Sequence, residues 1–196
     1  MMHFYHNFTG PGSDWHNIVE EHFTELARVG YDGNMKVMAT QYGYEDVTLN
    51  VLRDWAQTAD PDEPVFYAHA KGSTRPSGLQ DAWRRSMLQH CGTNWRQRVE
   101  ELSYGNDVSC WWWSKAADYP AHASGNFWWA RAGYLAGLPA LNTLDSDTRW
   151  NAEFWIGTGN PTVVAPHKQV GTPIVDMAMK WPPPSLEDKE RELGLR

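Results

Sequence analysis

The sequence is poor in cysteine, in net positive charge and in long apolar runs, and each shortage removes a class of protein. Only Cys91 and Cys110 occur. Two cysteines are too few for a disulfide scaffold and do not form a metal-ligand spacing, which points to a reducing compartment. No stretch reaches the ~18–20 apolar residues of a membrane span, and the opening Met1-Met2-His3-Phe4-Tyr5-His6 lacks the layout of a signal peptide. A soluble, cytoplasmic protein with no membrane partner is expected. The net charge of −7 argues against a generic nucleic-acid-binding face, which needs a basic field over the phosphates. His3, His6, His16, His22 and His90 have no partners at metal-ligand spacing, so a structural zinc is not expected.

Tryptophan, by contrast, is abundant: twelve Trp accompany eight Tyr. Such rings serve equally as core filler and as platforms for sugars or bases, and composition leaves both open. The 196 residues are expected to form one α/β domain over residues 1–180. The Pro-rich and charged segment 181–196, opening with Trp181-Pro182-Pro183-Pro184, follows it as a tail.

Along the chain, residues 2–8 read as a strand ending in the turn Thr9-Gly10-Pro11-Gly12. Ser13 or Asp14 is placed to cap a helix from about 15 to 29, whose apolar positions Ile18, Val19, Phe23, Leu26 and Ala27 recur at helical spacing. A second strand is predicted over 35–40 and a helix over 48–58. Val65-Phe66-Tyr67-Ala68 is apolar on both sides, as a buried central strand requires. Helices are predicted over 79–90, 94–103, 132–137 and 148–156, and strands over 107–112 and 126–130. The alternation of strand and helix in the first half predicts βαβ units and a mostly parallel central sheet flanked by helices. Ligands then bind beyond the carboxyl ends of the strands, which directs attention to residues 9–12 and 69–72.

Three segments could carry chemistry. The first, His69-Ala70-Lys71-Gly72-Ser73-Thr74-Arg75, follows the central strand directly. Lys71 and Arg75 are cations where a diphosphate could dock, and Gly72 lets the backbone approach it; a plain polar turn with a solvated Lys71 fits the same residues. The second is His122-Ala123-Ser124-Gly125-Asn126-Phe127-Trp128-Trp129-Ala130-Arg131, small polar residues running into bulky aromatics. That is the pattern of a pocket-lining loop entering the core, with Trp128 available to stack on a sugar or to fill the interior. In the third, Asn151-Ala152-Glu153-Phe154-Trp155-Ile156-Gly157, a lone carboxylate stands among large apolar residues. It suits a general base, or a helix-face Glu153 bridging to Arg149. His167-Lys168 sits in a late loop that could close over a phosphate or remain solvated. The spaced acidic pairs Asp60-Pro61-Asp62 and Asp145-Ser146-Asp147 are weak metal signals, since such pairs are common in exposed loops.

Taken together, Phe66–Gly72, Trp83-Arg84, Ser124–Trp129 and Ala152–Ile156, with the opening Asp14-Trp15-x-x-Ile18-Val19-x-Glu21, resemble a bacterial and phage family of small glycosyltransferases. The resemblance covers roughly residues 2–157, with four motifs in order. It implies a GT-A-like, Rossmann-related fold binding a nucleotide sugar, such as a UDP-sugar, at the ends of its first strands, so that residues 1–180 form a catalytic domain. By the same resemblance His6, Asn7, Thr9, Gly10 and Asp14 lie near the nucleotide, and His69 and Lys71 near the diphosphate. Ser124, Gly125 and Asn126 lie near the sugar or acceptor, and Glu153 near the reacting carbon. A late histidine often touches the diphosphate in the wider group, and His167 holds that position here.

The sequence departs from that group where an Asp-x-Asp metal motif is usual: it has His69-Ala70-Lys71. Lys71, helped by Arg75 or Lys168, is therefore expected to stabilise the leaving nucleoside diphosphate, with Mn or Mg possible but not favoured and no other cofactor implied. Glu153 would deprotonate the acceptor in an inverting reaction or face the cation-like sugar in a retaining one. The expected acceptor is a protein or glycan hydroxyl; the net charge disfavours nucleic acid. A carbohydrate-binding module and a nucleotide-sugar hydrolase on the same fold are the competing readings.

Overall fold

The computed structural model describes residues 3–9, 15–40, 45–70, 78–115, 120–141 and 151–170. The first half alternates as the periodicity predicts: β1 (His3–Thr9), α1 (Trp15–Arg28), β2 (Asn34–Thr40), α2 (Asp46–Ala56) and β3 (Pro64–His69). Then come α3 (Gly78–Leu88), a π-helical turn at Gln89–Thr93, and α4 (Trp95–Ser103). The predicted strand over 107–112 is split by Trp111 into β4 (Val108–Cys110) and β5 (Trp112–Lys115). The remaining elements are short: β6 (His122–Ala123), β7 (Trp128–Arg131), α5 (Ala132–Ala136), α6 (Asn151–Trp155), β8 (Val163–Val164) and β9 (His167–Val170). The tail 181–196 lies outside the described residues.

Six strands form one sheet in the order β2-β1-β3-β7-β4-β8, and β6-β5-β9 form a second. β1 lies parallel between β2 and β3, with His3 opposite both Asn34 and Val65. β7 runs antiparallel to both of its neighbours, pairing Phe66 with Trp129 on one side and Ser109 with Trp129 on the other. The second sheet is also mixed, antiparallel between β5 and β6 and parallel between β5 and β9. The expected GT-A-like, Rossmann-related, mostly parallel sheet is therefore corrected to a mixed α/β arrangement, with antiparallel pairing inside the main sheet. The cause lies in the connections. A parallel neighbour needs a crossover of roughly a dozen residues or more, usually a helix. No helix occurs among the described residues between Cys110 and Trp128, so the chain enters β7 running the opposite way.

The central strands β3 and β7 of the main sheet are buried on both faces. Val65 and Tyr67 of β3 join Trp128 and Ala130 of β7 in one core with Leu49 and Leu52 of α2, Leu135 of α5 and Trp155 of α6. The alternate residues, Phe66, Ala68 and Trp129, join a second core with Leu26 of α1, Trp83 and Met87 of α3, and Trp95 and Leu102 of α4. This alternation is the period of two that a strand imposes, and it puts Trp128 and Trp129 on opposite faces. Trp129 stacks on Phe66 at 5.2 Å between ring centres and donates its indole N–H to the Cys91 carbonyl at 2.8 Å. No helix among the described residues is long and apolar enough to cross a membrane.

The second core also holds polar groups. Arg98, almost fully buried, donates to Glu101 at 2.7 Å and contacts the His90 ring. Glu101 accepts the Ser109 hydroxyl of β4 at 2.7 Å with its other oxygen. Burial, followed by the Arg98 cation, lowers the His90 imidazole to about 3. Burial likewise pushes the Cys91 thiol up to about 12, which keeps it an inert core residue.

Candidate functional site

The carboxyl end of β3 is where the structure gathers polar side chains from distant parts of the chain. β3 stops at His69, whose backbone is level with Asn7 of β1. The chain enters β7 through the turn Ser124-Gly125-Asn126, which α3 backs from below and α6 meets from the side. Gly125 and Asn126 both adopt left-handed backbone, with φ of 88° and 55°. Glycine takes this conformation freely, and asparagine more readily than other side chains. A Cβ on Gly125 would also collide with Met87 and lie 2.7 Å from Cζ2 of Trp83, so the turn sits directly on α3. Consecutive left-handed residues persist only where surrounding contacts fix them.

Those contacts grip the Gly125 residue from two sides. Its N–H donates to Oε1 of Glu153 at 2.7 Å, and its carbonyl lies 3.0 Å from Nε2 of His69. Nδ1 of His69 lies 3.1 Å from Oε1 of Glu45, at the start of α2. The other oxygen of Glu45 accepts the Tyr67 hydroxyl at 2.8 Å and the Asn126 side-chain amide. The Asn126 amide is oriented in turn by Trp128, whose indole N–H donates to Oδ1 at 2.7 Å. The same amide nitrogen reaches the Ala152 carbonyl at 3.3 Å.

Donor and acceptor roles follow along this chain. The indole N–H can only donate, so Oδ1 of Asn126 accepts and its amide nitrogen donates to Glu45. Burial, reinforced by Glu45, raises the Tyr67 phenol well above its usual range, so Tyr67 remains a donor. Glu45 thus receives hydrogen bonds as a carboxylate, and Nδ1 of His69 donates to it. A carbonyl can only accept, so Nε2 of His69 donates to Gly125 as well. With both ring nitrogens donating, His69 is held as an imidazolium paired with Glu45.

Beside this cluster stands a second histidine. Nδ1 of His122 lies 2.9 Å from the Pro120 carbonyl, and Nε2 lies 3.4 Å from the Ser124 hydroxyl. Its ring meets Phe154 edge-on at 5.2 Å, which ties it to the helix that carries Glu153.

The structure thus brings together His69, Ser124, Gly125, Asn126 and Glu153, all singled out from the sequence. His122 opens the second of the segments marked in the sequence, whereas two residues at the site, Glu45 and Tyr67, had not been singled out. The rule that ligands gather beyond the carboxyl ends of parallel strands could have found Glu45, because it follows β2. His6, Asn7 and Thr9 lie on β1, the last of these level with Thr40 of β2. Gly10, Asp14, Lys71, Gly72 and Arg75 lie outside the described residues, as does Asp145-Ser146-Asp147.

Two expectations are corrected. Trp128 has no face to offer a sugar: it is fully buried and stacks on Tyr67 at 5.0 Å between centres. It acts on the site through its N–H instead. His167 and Lys168 lie on strand β9, not in a loop, two strands across from His122 in the second sheet. There His167 packs on Trp111 at 4.4 Å between ring centres, and Nζ of Lys168 donates to the Val163 carbonyl at 2.6 Å. Among the described residues no group of three or more His, Cys, Asp or Glu side chains is arranged to hold a metal ion.

No curated protein and no solved structure matches the chain. Residues 4–151 match the family described as Domain of unknown function (DUF8361), and because that match spans most of the chain, the protein belongs to this family.

Proposed function

We propose that the chain is a glycosyltransferase that moves a hexosyl or related sugar from a nucleotide-sugar donor to a hydroxyl of a protein or glycan acceptor. One observation carries the reading: Gly125 is held between His69 and Glu153, so three sequence motifs separated along the chain meet at one peptide. Breaking a glycosyl–phosphate bond leaves an anionic diphosphate and a cation-like sugar, and the enzyme needs fixed charge of both signs. Glu153, oriented by the Gly125 N–H, supplies the negative side. Lys71, which follows His69 by two residues in sequence, supplies the positive side without a metal.

The competing carbohydrate-binding reading relies on exposed tryptophans, and the placement of eight of the nine whose side chains are described counts against it. Trp83, Trp95, Trp111, Trp112, Trp113, Trp128, Trp129 and Trp155 are all buried.

The test is thermal denaturation of the purified protein with UDP-, GDP-, dTDP- and CMP-sugars, each with manganese and with EDTA. A donor at a hundred times its Kd stabilises by about 2.7 kcal/mol and raises Tm by roughly 5–10 °C. Glu153→Gln should keep that shift and lose transfer by about 10²-fold or more. Near-normal turnover of this variant would remove Glu153 from the chemistry, and a protein that shows neither a shift nor turnover with any donor would remove the transferase reading.

A further inference from the structure

Resting on the transfer reading above, the geometry points to His122 and Ser124 as the proton relay that receives the acceptor's hydroxyl proton. The Pro120 carbonyl can only accept, so the proton of a neutral His122 sits on Nδ1, and Nε2 presents its lone pair to the Ser124 hydroxyl. The edge-on contact with Phe154 fixes the ring in that orientation. His69, two-faced toward acceptors, has no lone pair to offer. His122 is only 8 % exposed and Ser124 6 %, so bulk water does not readily substitute for either.

A serine beside a histidine also suggests a covalent acyl nucleophile, and the backbone argues against that. Such a mechanism needs free N–H groups at the turn to hold an oxyanion. Here the Ser124 N–H donates to Trp112 at 2.9 Å, the Gly125 N–H to Glu153 at 2.7 Å, and the Asn126 N–H to Ala123 at 2.9 Å. All three are engaged, so Ser124 carries protons and does not form an acyl ester.

In the step itself, the acceptor O–H proton passes to Oγ of Ser124 as the serine's own proton passes to Nε2 of His122. The acceptor oxygen uses the freed electron pair to bond the anomeric carbon. The bond from that carbon to the phosphate oxygen breaks, and the nucleoside diphosphate leaves with the pair. His122 ends as an imidazolium whose second N–H still donates to Pro120, and it returns the proton to solvent after product release. Glu153 then serves the cation-like sugar alone.

Two measurements test the relay. Nitrogen-15 NMR of the histidine rings at neutral pH should find the His122 proton on Nδ1, whatever the turnover; a proton on Nε2 overturns the relay. In transfer assays His122→Gln and Ser124→Ala should each lower kcat by about 10²–10³-fold with donor KM changed less than about twofold. Ser124→Thr, which keeps the hydroxyl, should restore most of the rate. Ser124→Ala removes a single oxygen and keeps the test open should His122→Gln fail to fold. An active enzyme whose kcat survives both substitutions within about threefold sinks the relay alone. A protein that neither binds nor consumes any nucleotide sugar sinks the transfer reading and the relay with it.

Discussion

Glu45 and His69 form an ion pair, Oε1 to Nδ1 at 3.1 Å, that fastens the residue preceding α2 to the last residue of β3. The side chains are only 18 % and 16 % exposed, so each partner would be left in poor solvent by loss of the other. Glu45→Gln and His69→Gln should each cost on the order of 2–3 kcal/mol, lowering Tm by roughly 5–10 °C. In a double-mutant cycle the combined loss should fall short of the sum by at least about 1 kcal/mol. Strictly additive losses would mean the two residues do not act as a pair.

His90 makes stability depend on pH in a defined direction. Its folded value of about 3 lies below the 6.5 of a free imidazole, so between those values the unfolded chain binds more protons. This contribution is complete above pH 6.5 and is lost as the pH falls. From pH 7 to pH 5 it removes about 2 kcal/mol. Urea unfolding at the two pH values should show that loss, and His90→Gln should flatten it. An equally steep profile in the variant would assign the pH dependence to other groups.

Two glycines should respond very differently to alanine. A Cβ on Gly157 would run into the carbonyl of Ala121, which is backbone and cannot swing aside. One on Gly105 would meet nothing within 4 Å, although its φ of 89° is strained for any side chain. Gly105→Ala should therefore cost about 1–2 kcal/mol, and Gly157→Ala more than about 3 kcal/mol or all stable folding. Calorimetry on the two variants separates them, and equal losses would mean that the Ala121 carbonyl gives way.

The parts of the fold that could be read in the sequence are those fixed by local pattern. Val65–Ala68 announces a strand buried on both sides, and the spacing of Ile18, Val19 and Leu26 announces a helix. The direction of β7 could not be read, because Trp128-Trp129-Ala130 looks the same whichever way it runs, and only pairing with β3 and β4 decides. At the site, Gly125 and Asn126 were legible as small polar residues ahead of aromatics. Glu45 was not: its partners Tyr67 and Asn126 lie 22 and 81 residues away, and nothing beside it in sequence marks it. Trp128 misled for a related reason, since an aromatic ring suited to a sugar is equally suited to Tyr67.

The Ser124–Asn126 turn leaves β6 in the small sheet and enters β7 in the large one. It is thus one of three short joints between two separately hydrogen-bonded sheets, beside Trp111 between β4 and β5 and residues 165–166 between β8 and β9, and a displacement of one sheet against the other would be shared among them. His69 at the end of β3, with its partner Glu45, holds that joint from the large sheet, and Glu153 holds it from α6. His122 alone is carried by the small sheet, so the distance from its ring to Ser124 gauges how the two bodies are seated.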